Sequence, residues 1–248
     1  MKYDILIDEE YTIIYNGRIL HRIRALKDFD DVKTGDIGGY VQTEDNLSQY
    51  GNCWIYDNAK CMDKAKCTDD SKMYDNSRMY NNSKMCDYSR MFGNSEMCDN
   101  SRMCDYSRMC DNSRMCDDSR MFDNSIMYNN STMCDDSRMF GYSSLHGNAE
   151  VYDNAVLKNN NKLYGVINKP FKKIFQHQCE KRFLTAILTE ENEILYSIGC
   201  QIGITKEEFI DRIYNDCEIK GNGLIEYPYR QEYLDMIDII ENYFEKFM

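Results

Sequence analysis

An apolar residue returns every six positions over more than a hundred residues of this chain, and no other feature limits the fold as strongly. The series starts at Ile55, includes twelve methionines from Met73 to Met139, and ends at Leu163. A small residue, usually Ser or Ala, stands two positions before each of them as far as Leu157. The typical unit is Met-Cys-Asp-Asn-Ser-Arg, as in residues 97–102. So short a unit cannot bury its apolar row alone, which predicts a solenoid of stacked units.

Each six-residue unit predicts one short β-strand and one corner. Side chains alternate along a strand, so Ser and Met of one unit point inward while Arg and Cys point outward. The Asp-Asn pair that follows tolerates left-handed backbone and makes the turn. The methionine column is therefore expected to be core, because the flexible thioether fills irregular apolar space.

Residue types also align at a spacing of eighteen, which indicates three units per turn. Three columns show this alignment: Tyr88, Tyr106 and Tyr142; Cys98, Cys116 and Cys134; and Tyr56, Tyr74, Phe92, Cys110, Tyr128, His146 and Tyr164. A random order of units would scatter these residues over three faces. The sequence therefore predicts a mainly β protein with a three-sided, left-handed parallel β-helix from about Tyr50 to Tyr164.

Two stretches of the chain resemble known repeat proteins. The unit at residues 151–156, Val-Tyr-Asp-Asn-Ala-Val, is similar to the repeats of left-handed β-helix proteins, the hexapeptide acyltransferases among them. The segment at residues 35–59, with Gly-Asp-Ile-Gly-Gly-Tyr-Val near its start, resembles a group of phage and prophage proteins with long hexapeptide arrays, often labelled polymer-forming. The resemblance covers roughly residues 12–165. This chain departs from the family at two positions of the repeat. The family usually has Gly after the inward aliphatic residue, where this chain has Tyr, Cys or Phe. The inward residue itself is Met here instead of an aliphatic residue.

The array occupies residues 49–166, and each flank predicts a cap for the unpaired backbone at its end. In residues 1–48, the turn at Asn16 and Gly17 lies between two apolar runs and predicts a β-hairpin. Residues 167–248 predict a small α+β domain. Its expected elements are strands at 183–188 and 194–198 around a turn at 190–193, a helix opened by a capping box from Thr205 to Glu208, and a final helix from about Arg230.

Charge and composition narrow the expected environment. A formal net charge of −12 argues against non-specific binding to nucleic acid or to an anionic membrane. No apolar run approaches the ~18 residues of a membrane span, and the acidic N-terminus does not continue as a signal peptide. We therefore expect a cytoplasmic protein, in a bacterial host cell, with its 12 cysteines reduced. The sequence contains no Cys-x-x-Cys pair, which would have indicated a zinc site, and we expect no metal or cofactor.

The outward columns are the candidate binding surface. One face carries Lys66, Lys84, Arg102, Arg120 and Arg138 beside Thr68, Cys86, Cys104, Phe122 and Phe140; a second carries Lys72, Arg90 and Arg108 beside Tyr74, Phe92, Cys110 and Tyr128; Tyr88, Tyr106 and Tyr142 line a corner. Two interpretations are open. Corner Asp residues would neutralise the stacked cations, or the cations and rings would hold a partner, since Arg and aromatic residues are enriched in interface anchors.

A protein partner, or a second copy of the chain, is favoured over nucleic acid. These residue types also suit stacking on bases, but the net charge opposes a phosphate binder. We expect a non-catalytic, homo-oligomeric scaffold. The resemblance to phage proteins implies that the partner is a host protein, such as a nuclease or ribonucleoprotein of a defence system. The chain would then inhibit that partner in the manner of an anti-CRISPR protein.

Two alternatives remain at this stage. The first is a hexapeptide-type acyltransferase, for which His146 is the candidate base because it lies outward on a repeat. No insertion interrupts the repeats to form a substrate loop, and fold likeness alone does not carry an activity. The second alternative is a structural or virion rod, against which the distinct flanking segments argue.

Overall fold

A computed structural model describes residues 1–152, 155–157, 162–163, 166–167, 171–178, 183–189, 191–198, 201–215 and 230–248. Four strands precede the solenoid: β1 (Tyr3–Leu6), β2 (Thr12–Tyr15), β3 (Arg18–Ala25) and β4 (Ile37–Val41). Strands β2 and β3 pair antiparallel across Asn16 and Gly17, whose φ angles are 47° and 75°. This confirms the predicted hairpin. Short 3-10 helices lie at Glu9–Tyr11, Glu44–Asn46 and Glu245–Phe247.

Twenty two-residue strands, β5 to β24, follow within the described residues and succeed one another on three faces. Face 1 holds Lys60–Cys61, Arg78–Met79, Glu96–Met97, Arg114–Met115, Thr132–Met133, Glu150–Val151 and Val166–Ile167. Face 2 holds Lys66–Cys67, Lys84–Met85, Arg102–Met103, Arg120–Met121, Arg138–Met139 and Val156–Leu157. Face 3 holds Trp54–Ile55, Lys72–Met73, Arg90–Met91, Arg108–Met109, Ile126–Met127, Ser144–Leu145 and Lys162–Leu163.

Strands on one face pair in parallel, and each residue meets its equivalent in the next turn. Arg102, for example, pairs with Lys84 on one side and with Arg120 on the other. The predicted period of eighteen and the parallel solenoid are therefore confirmed, with just over six turns described. Its left-handed winding stays a prediction.

The corners explain why Asp recurs in the repeat. Asp, Asn or Gly takes left-handed backbone at each of them from Asp57 (φ 50°) to Gly147 (φ 64°), a conformation that these residues tolerate. The Asp carboxylate then accepts the backbone N–H of the equivalent residue one turn further on. Oδ2 of Asp75 accepts from Gly93 at 2.8 Å, and Oδ2 of Asp123 accepts from Gly141 at 3.0 Å. Corner Asp residues thus adopt the left-handed backbone of one corner and hydrogen-bond to the backbone of the next turn of the solenoid.

The interior of the solenoid is the methionine column. All twelve residues from Met73 to Met139 in this column are completely buried, and so are the serines beside them. The column continues as aliphatic residues at Leu145 and Leu157. The prediction that methionine forms the core is confirmed.

The N-terminal strands continue face 1 and close that end of the solenoid. Strand β4 pairs in parallel with the first strand of face 1, Tyr40 opposite Lys60. Beneath it, the buried Trp54 ring meets the edge of the Phe29 ring at 5.5 Å between centroids. A Cβ on Gly39 would lie 2.5 Å from Cγ2 of Ile55. Glycine is required there because β4 approaches the first turn this closely.

The C-terminal segment forms an antiparallel sheet with two helices. The sheet runs β25 (Phe171–Gln178), β26 (Phe183–Thr189), β27 (Ile194–Ile198) and β28 (Gln201–Ile204), and the helices are α1 (Lys206–Asn215) and α2 (Arg230–Phe244). Thr205 and Glu208 exchange the two hydrogen bonds of the predicted capping box. Glu190, in the predicted turn, and Tyr164, at the predicted end of the solenoid, lie outside the described residues.

One side of this sheet meets the solenoid and the other carries the helices. Phe171, Ile187 and Leu195 belong to the same buried cluster as the methionines. On the opposite side, Tyr196 stacks on Phe209 of α1 with 5.1 Å between ring centroids. The sheet therefore covers the C-terminal end as expected, while the domain boundaries at 48/49 and 166/167 stay predictions. In the described part of the chain, neither helix is long and apolar enough to cross a membrane.

Candidate binding surface

A column of five cations stands in register on face 2. Lys66, Lys84, Arg102, Arg120 and Arg138 pair with one another strand by strand. Successive strands lie ~4.8 Å apart. Within residues 1–152, the ion pairs are formed by other cations, and these five have no carboxylate within 4.0 Å. The arginines and Lys66 are exposed, and Lys84 is half-buried.

The corner Asp residues form no ion pair within 4.0 Å with these five cations in residues 1–152. Oδ2 of Asp87 accepts the backbone N–H of Asp105 at 3.4 Å, and Oδ2 of Asp105 accepts that of Asp123 at 3.2 Å. A carboxylate in left-handed backbone points along the solenoid axis, towards the next corner, rather than across the face. These corner Asp residues therefore accept hydrogen bonds from the backbone, and the five cations of face 2 have no ion pair with any residue of 1–152.

Aromatic rings continue this surface around the corner between faces 2 and 3. Phe122 and Phe140 stack with 5.4 Å between centroids, and Tyr88 and Tyr106 with 5.0 Å. Tyr142 is 70% exposed. Arg90 and Arg108 follow on face 3, both exposed. We call this surface the cationic edge; it consists of Lys66, Lys84, Arg102, Arg120, Arg138, Arg90, Arg108, Phe122, Phe140, Tyr88, Tyr106 and Tyr142.

Lys72 corrects the predicted second face. It was expected outward beside Arg90 and Arg108, but it is only 6% exposed. Its Nζ lies 2.5 Å from Oδ1 of Asp31 and 2.7 Å from Oδ2 of Asp30. Burial opposes its charge, but the hydrogen bonds to these carboxylates outweigh burial and raise the pKa of Lys72. The loop between β3 and β4 covers it, which the repeat pattern alone does not show.

The aromatic column of face 3 is packed rather than open. The rings of Tyr56, Tyr74 and Phe92 stack at 4.5 and 4.8 Å. Further along, Tyr128 stacks on His146 at 5.1 Å. All of these rings are half-buried, so they contribute to stability at least as much as to a binding surface.

His146 also contacts a hydroxyl group. Its Nε2 and Oγ of Ser144 lie 2.8 Å apart in a hydrogen bond. Strands follow one another every six residues from Trp54 to Leu145 without insertion, so no loop within residues 54–145 encloses this pair. A histidine and a serine in contact are two components of acyl-transfer chemistry; here Ser144 is buried and His146 is half-buried.

Face 1 holds a polar network that the sequence analysis missed. Glu96 accepts a hydrogen bond from the Tyr80 hydroxyl and lies 3.1 Å from Nη2 of Arg78 and 3.8 Å from Nε of Arg114. Nη1 of Arg78 also donates to the Tyr15 hydroxyl of β2 at 2.8 Å. The sequence signal was available, because Glu96 interrupts a row of Lys and Arg at this position of the repeat.

Two disulfides overturn the expectation that every cysteine is a free thiol. Cys86 is bonded to Cys104 on face 2, and Cys116 to Cys134 on face 1, with Cα atoms 4.9 and 4.7 Å apart. Equivalent positions in adjacent turns lie within the Cα range of disulfides, so cysteines at a spacing of eighteen meet directly. Cys98 remains a free, buried thiol.

The described residues contain two groups with metal-ligand atoms close together. They are Cys86, Asp87 and Cys104, and Cys116, Asp117 and Cys134, each with its ligand atoms within 4.8 Å of one another. In both groups the two sulfurs are joined in a disulfide. A metal needs thiolate sulfur, so neither group has the ligands for a soft metal in this state.

Comparison with models of known protein families gives no match. A segment of 39 residues, 16% of the chain, is 51% identical to the uncharacterized acetyltransferase YdcK of Escherichia coli (strain K12). The match covers 12% of that relative, so the chain spans only a small part of it. This likeness is in accord with a repeat fold of the hexapeptide type, and it does not bear on a phage origin.

Proposed function

We propose that this chain is a non-catalytic binding scaffold and that the cationic edge is its working surface. The observation that supports this proposal most is the column of five cations on face 2, none of which lies within 4.0 Å of a carboxylate in residues 1–152. Two unit charges ~4.8 Å apart repel by about 1 kcal/mol even in water. A partner that supplies negative charge along this column would relieve that repulsion on binding.

The aromatic residues define the rest of the partner's surface. Tyr88, Tyr106 and Tyr142 lie between the arginines of faces 2 and 3, and Tyr and Arg are the residue types that anchor protein interfaces. The partner should therefore be a protein with an acidic surface that also accepts aromatic side chains. From the sequence resemblance, we propose a host protein that handles nucleic acid, inhibited by a phage or prophage accessory protein. A second copy of this chain is the competing occupant.

A capture experiment with matched charge variants tests the proposal. The tagged chain is incubated with lysate of a bacterial host, with and without nuclease, and bound proteins are identified by mass spectrometry. We expect one stoichiometric protein that survives nuclease treatment. The triple variant R102E/R120E/R138E should lose it, whereas K27E/K33E/K246E, with the same change in charge at exposed lysines elsewhere, should keep it.

Three results would overturn the proposal. The first is a partner captured equally by both triple variants, which would place the binding surface elsewhere. The second is loss of the partner on nuclease treatment, which would make nucleic acid the ligand. The third is recovery of the tagged chain alone; light scattering would then distinguish a defined oligomer through the cationic edge from a filament.

Acyl transfer is the second candidate. The partial likeness to a protein named as an acetyltransferase and the hydrogen bond between Ser144 and His146 favour it. The test is release of free thiol from acetyl-CoA in the presence of small amine and hydroxyl acceptors. Activity that His146→Ala abolishes and His177→Ala retains would establish this candidate, and no release above the buffer blank would remove it.

A further inference from the structure

Three cysteines follow one another along face 1. Cys98, Cys116 and Cys134 occupy the same repeat position in consecutive turns, because Met97 pairs with Met115 and Met115 with Met133. The backbone N–H of Cys98 donates to Met115, and that of Cys116 to Met133, both at 2.9 Å. The register therefore places Cys98 one turn from Cys116, as Cys116 is from Cys134.

The redox states along this column differ. Cys116 and Cys134 form a disulfide, while Cys98 is a free thiol beside it. Thiol–disulfide exchange requires a thiolate to attack one sulfur in line with the bond that breaks. The register places the three cysteines at equivalent positions of consecutive turns, one after another along the solenoid. Cys116 therefore has Cys98 one turn to one side and its disulfide partner Cys134 one turn to the other, which is the order that attack by Cys98 and departure of Cys134 require.

We propose that Cys98, Cys116 and Cys134 form a thiol–disulfide exchange site. In the forward step, the Cys98 thiol loses its proton to solvent and its sulfur bonds to that of Cys116. The bond between Cys116 and Cys134 breaks, and Cys134 leaves as a thiolate that takes up a proton. The step consumes no oxidant, because one disulfide replaces another. It transfers the free thiol from buried Cys98 to Cys134, which is half-buried and so within reach of small thiols and thiol reagents.

The groups around Cys98 set the rate of this step. Nη2 of Arg114 lies 3.8 Å from its sulfur. Burial raises the pKa of Cys98, Asp99 adds to this effect, and Tyr80 and Arg114 oppose it. Glu96 faces the same cluster through Tyr80 and Arg114. The thiolate is therefore the minor form at neutral pH, and exchange should accelerate about tenfold per pH unit between pH 7 and 8.5.

The disulfide on face 2 is a built-in control. Its neighbours at the same repeat position are Thr68 and Phe122, one turn to either side of Cys86 and Cys104. No third thiol stands in that column within residues 66–140. The bond between Cys86 and Cys104 therefore has no internal exchange partner, although its Cα spacing matches that of the other disulfide.

Trapping with iodoacetamide tests the exchange in the native, full-length chain. Dilute protein is incubated with the reagent at pH 8.5, then digested with trypsin without reduction and mapped by mass spectrometry. Residues 91–102, 115–120 and 121–138 carry Cys98, Cys116 and Cys134 on separate tryptic peptides. We expect peptide 115–120 to change its partner from 121–138 to 91–102 over time, while Cys134 becomes alkylated.

Cys98→Ser should abolish this exchange of disulfide partners. The disulfide between Cys86 and Cys104 should persist in the wild type and in this variant. A rate that does not depend on protein concentration would show that the exchange is intramolecular. In Cys134→Ser, oxidation should link Cys98 to Cys116, which checks their proximity separately. The proposal would be overturned by an unchanged link between 115–120 and 121–138 in the wild type, or by direct alkylation of Cys98.

Discussion

Within residues 1–152, cationic side chains form ion pairs in the N-terminal turns of the solenoid but not on face 2 of its central turns. Near the cap, Lys72 is buried against Asp30 and Asp31, and Arg18 of β3 makes two hydrogen bonds to the carboxylate of Asp63. On face 2 of the central turns, exposed arginines stand above one another, and no carboxylate of residues 1–152 lies within ion-pair distance of them. The same repeat thus accommodates both arrangements, so the unpaired column is not a requirement of the fold.

The difference arises from where the carboxylates come from. Corner Asp residues in left-handed backbone accept the backbone N–H of the next corner, as Asp105 does from Asp123. On face 1 the repeat itself offers a carboxylate, because Glu96 lies against Arg78 and Arg114, and near the cap the loop that carries Asp30 and Asp31 does so for Lys72. The described residues offer no such carboxylate to the cations of face 2, which is why the cationic edge is the proposed binding surface.

The largest expected effect is at Lys72. Lys72→Met should lower the free energy of unfolding by about 1–2 kcal/mol, because it removes a buried cation that two carboxylates hold, while Asp30 and Asp31 themselves stay about half exposed to solvent. Urea denaturation followed by circular dichroism measures this change. Arg102→Met, the matched substitution on face 2, should stay within about 0.5 kcal/mol. Equal losses in the two variants would break the comparison.

The next effect is a pH dependence at the N-terminal end. Nζ of Lys2 lies 3.2 Å from Sγ of buried Cys53. A hydrogen bond from Cys67, followed by the charge of Lys2, outweighs burial and lowers the pKa of Cys53 from 9.0 to about 7. Because the folded pKa is the lower one, the thiolate contributes its full stability above pH 9 and loses it as pH falls through 7.

Cys53 should therefore make the free energy of unfolding rise between pH 7 and pH 9, while Cys61 and Cys67, whose pKa values are raised, act in the opposite direction. Denaturation at three pH values measures this slope. Cys53→Ser should flatten it, while Cys110→Ser, which removes an outward thiol of the central turns, should leave it intact. A slope that survives in Cys53→Ser would assign the pH dependence to another group.

A smaller effect concerns the partly exposed pair of Arg18 and Asp63. A double-mutant cycle with Arg18→Gln and Asp63→Asn should give a favourable coupling of about 0.5–1 kcal/mol, since solvent weakens a partly exposed ion pair. Asp63 also accepts the backbone N–H of Asn81, and the cycle separates that contribution. A coupling of zero would mean that proximity to the cap alone does not stabilise a cation.

The smallest effect tests the central turns directly. A cycle with Arg102→Gln and Arg120→Gln should give a coupling of a few tenths of a kcal/mol with the opposite sign, because these like charges repel. In 1 M salt, where the Debye length falls to ~3 Å, the coupling should vanish. A favourable coupling would show that the arginines already share a counter-charge within this chain.

The sequence predicted the features that depend on the repeat period. Strand register, the buried methionines and the left-handed corners all follow from spacing and alternation, and the structure confirms them. The Thr205 capping box was also visible, because its signal is local. These predictions hold because each depends on a few neighbouring residues or on a strict repeat.

What the sequence could not predict depends on contacts outside the repeat or on atomic direction. The burial of Lys72 depends on where the loop of Asp30 lies. The use of corner carboxylates by backbone N–H groups depends on the direction of a side chain in left-handed backbone. The sequence places Cys116 and Cys134 eighteen residues apart in one column, and the expectation of thiols there rests on the compartment rather than on the spacing.

The strict spacing of eighteen residues also determines which insertions and deletions in the gene preserve the columns. Loss of eighteen residues, such as residues 91–108, would shorten the solenoid by one turn of ~4.8 Å and leave every later residue on its own face. Loss of six would instead shift all later residues by one face and interrupt each column. Duplication or deletion of whole turns is therefore the change in gene length that keeps every column in register, and loss of residues 91–108 would remove both Arg102 and Arg108 from the cationic edge.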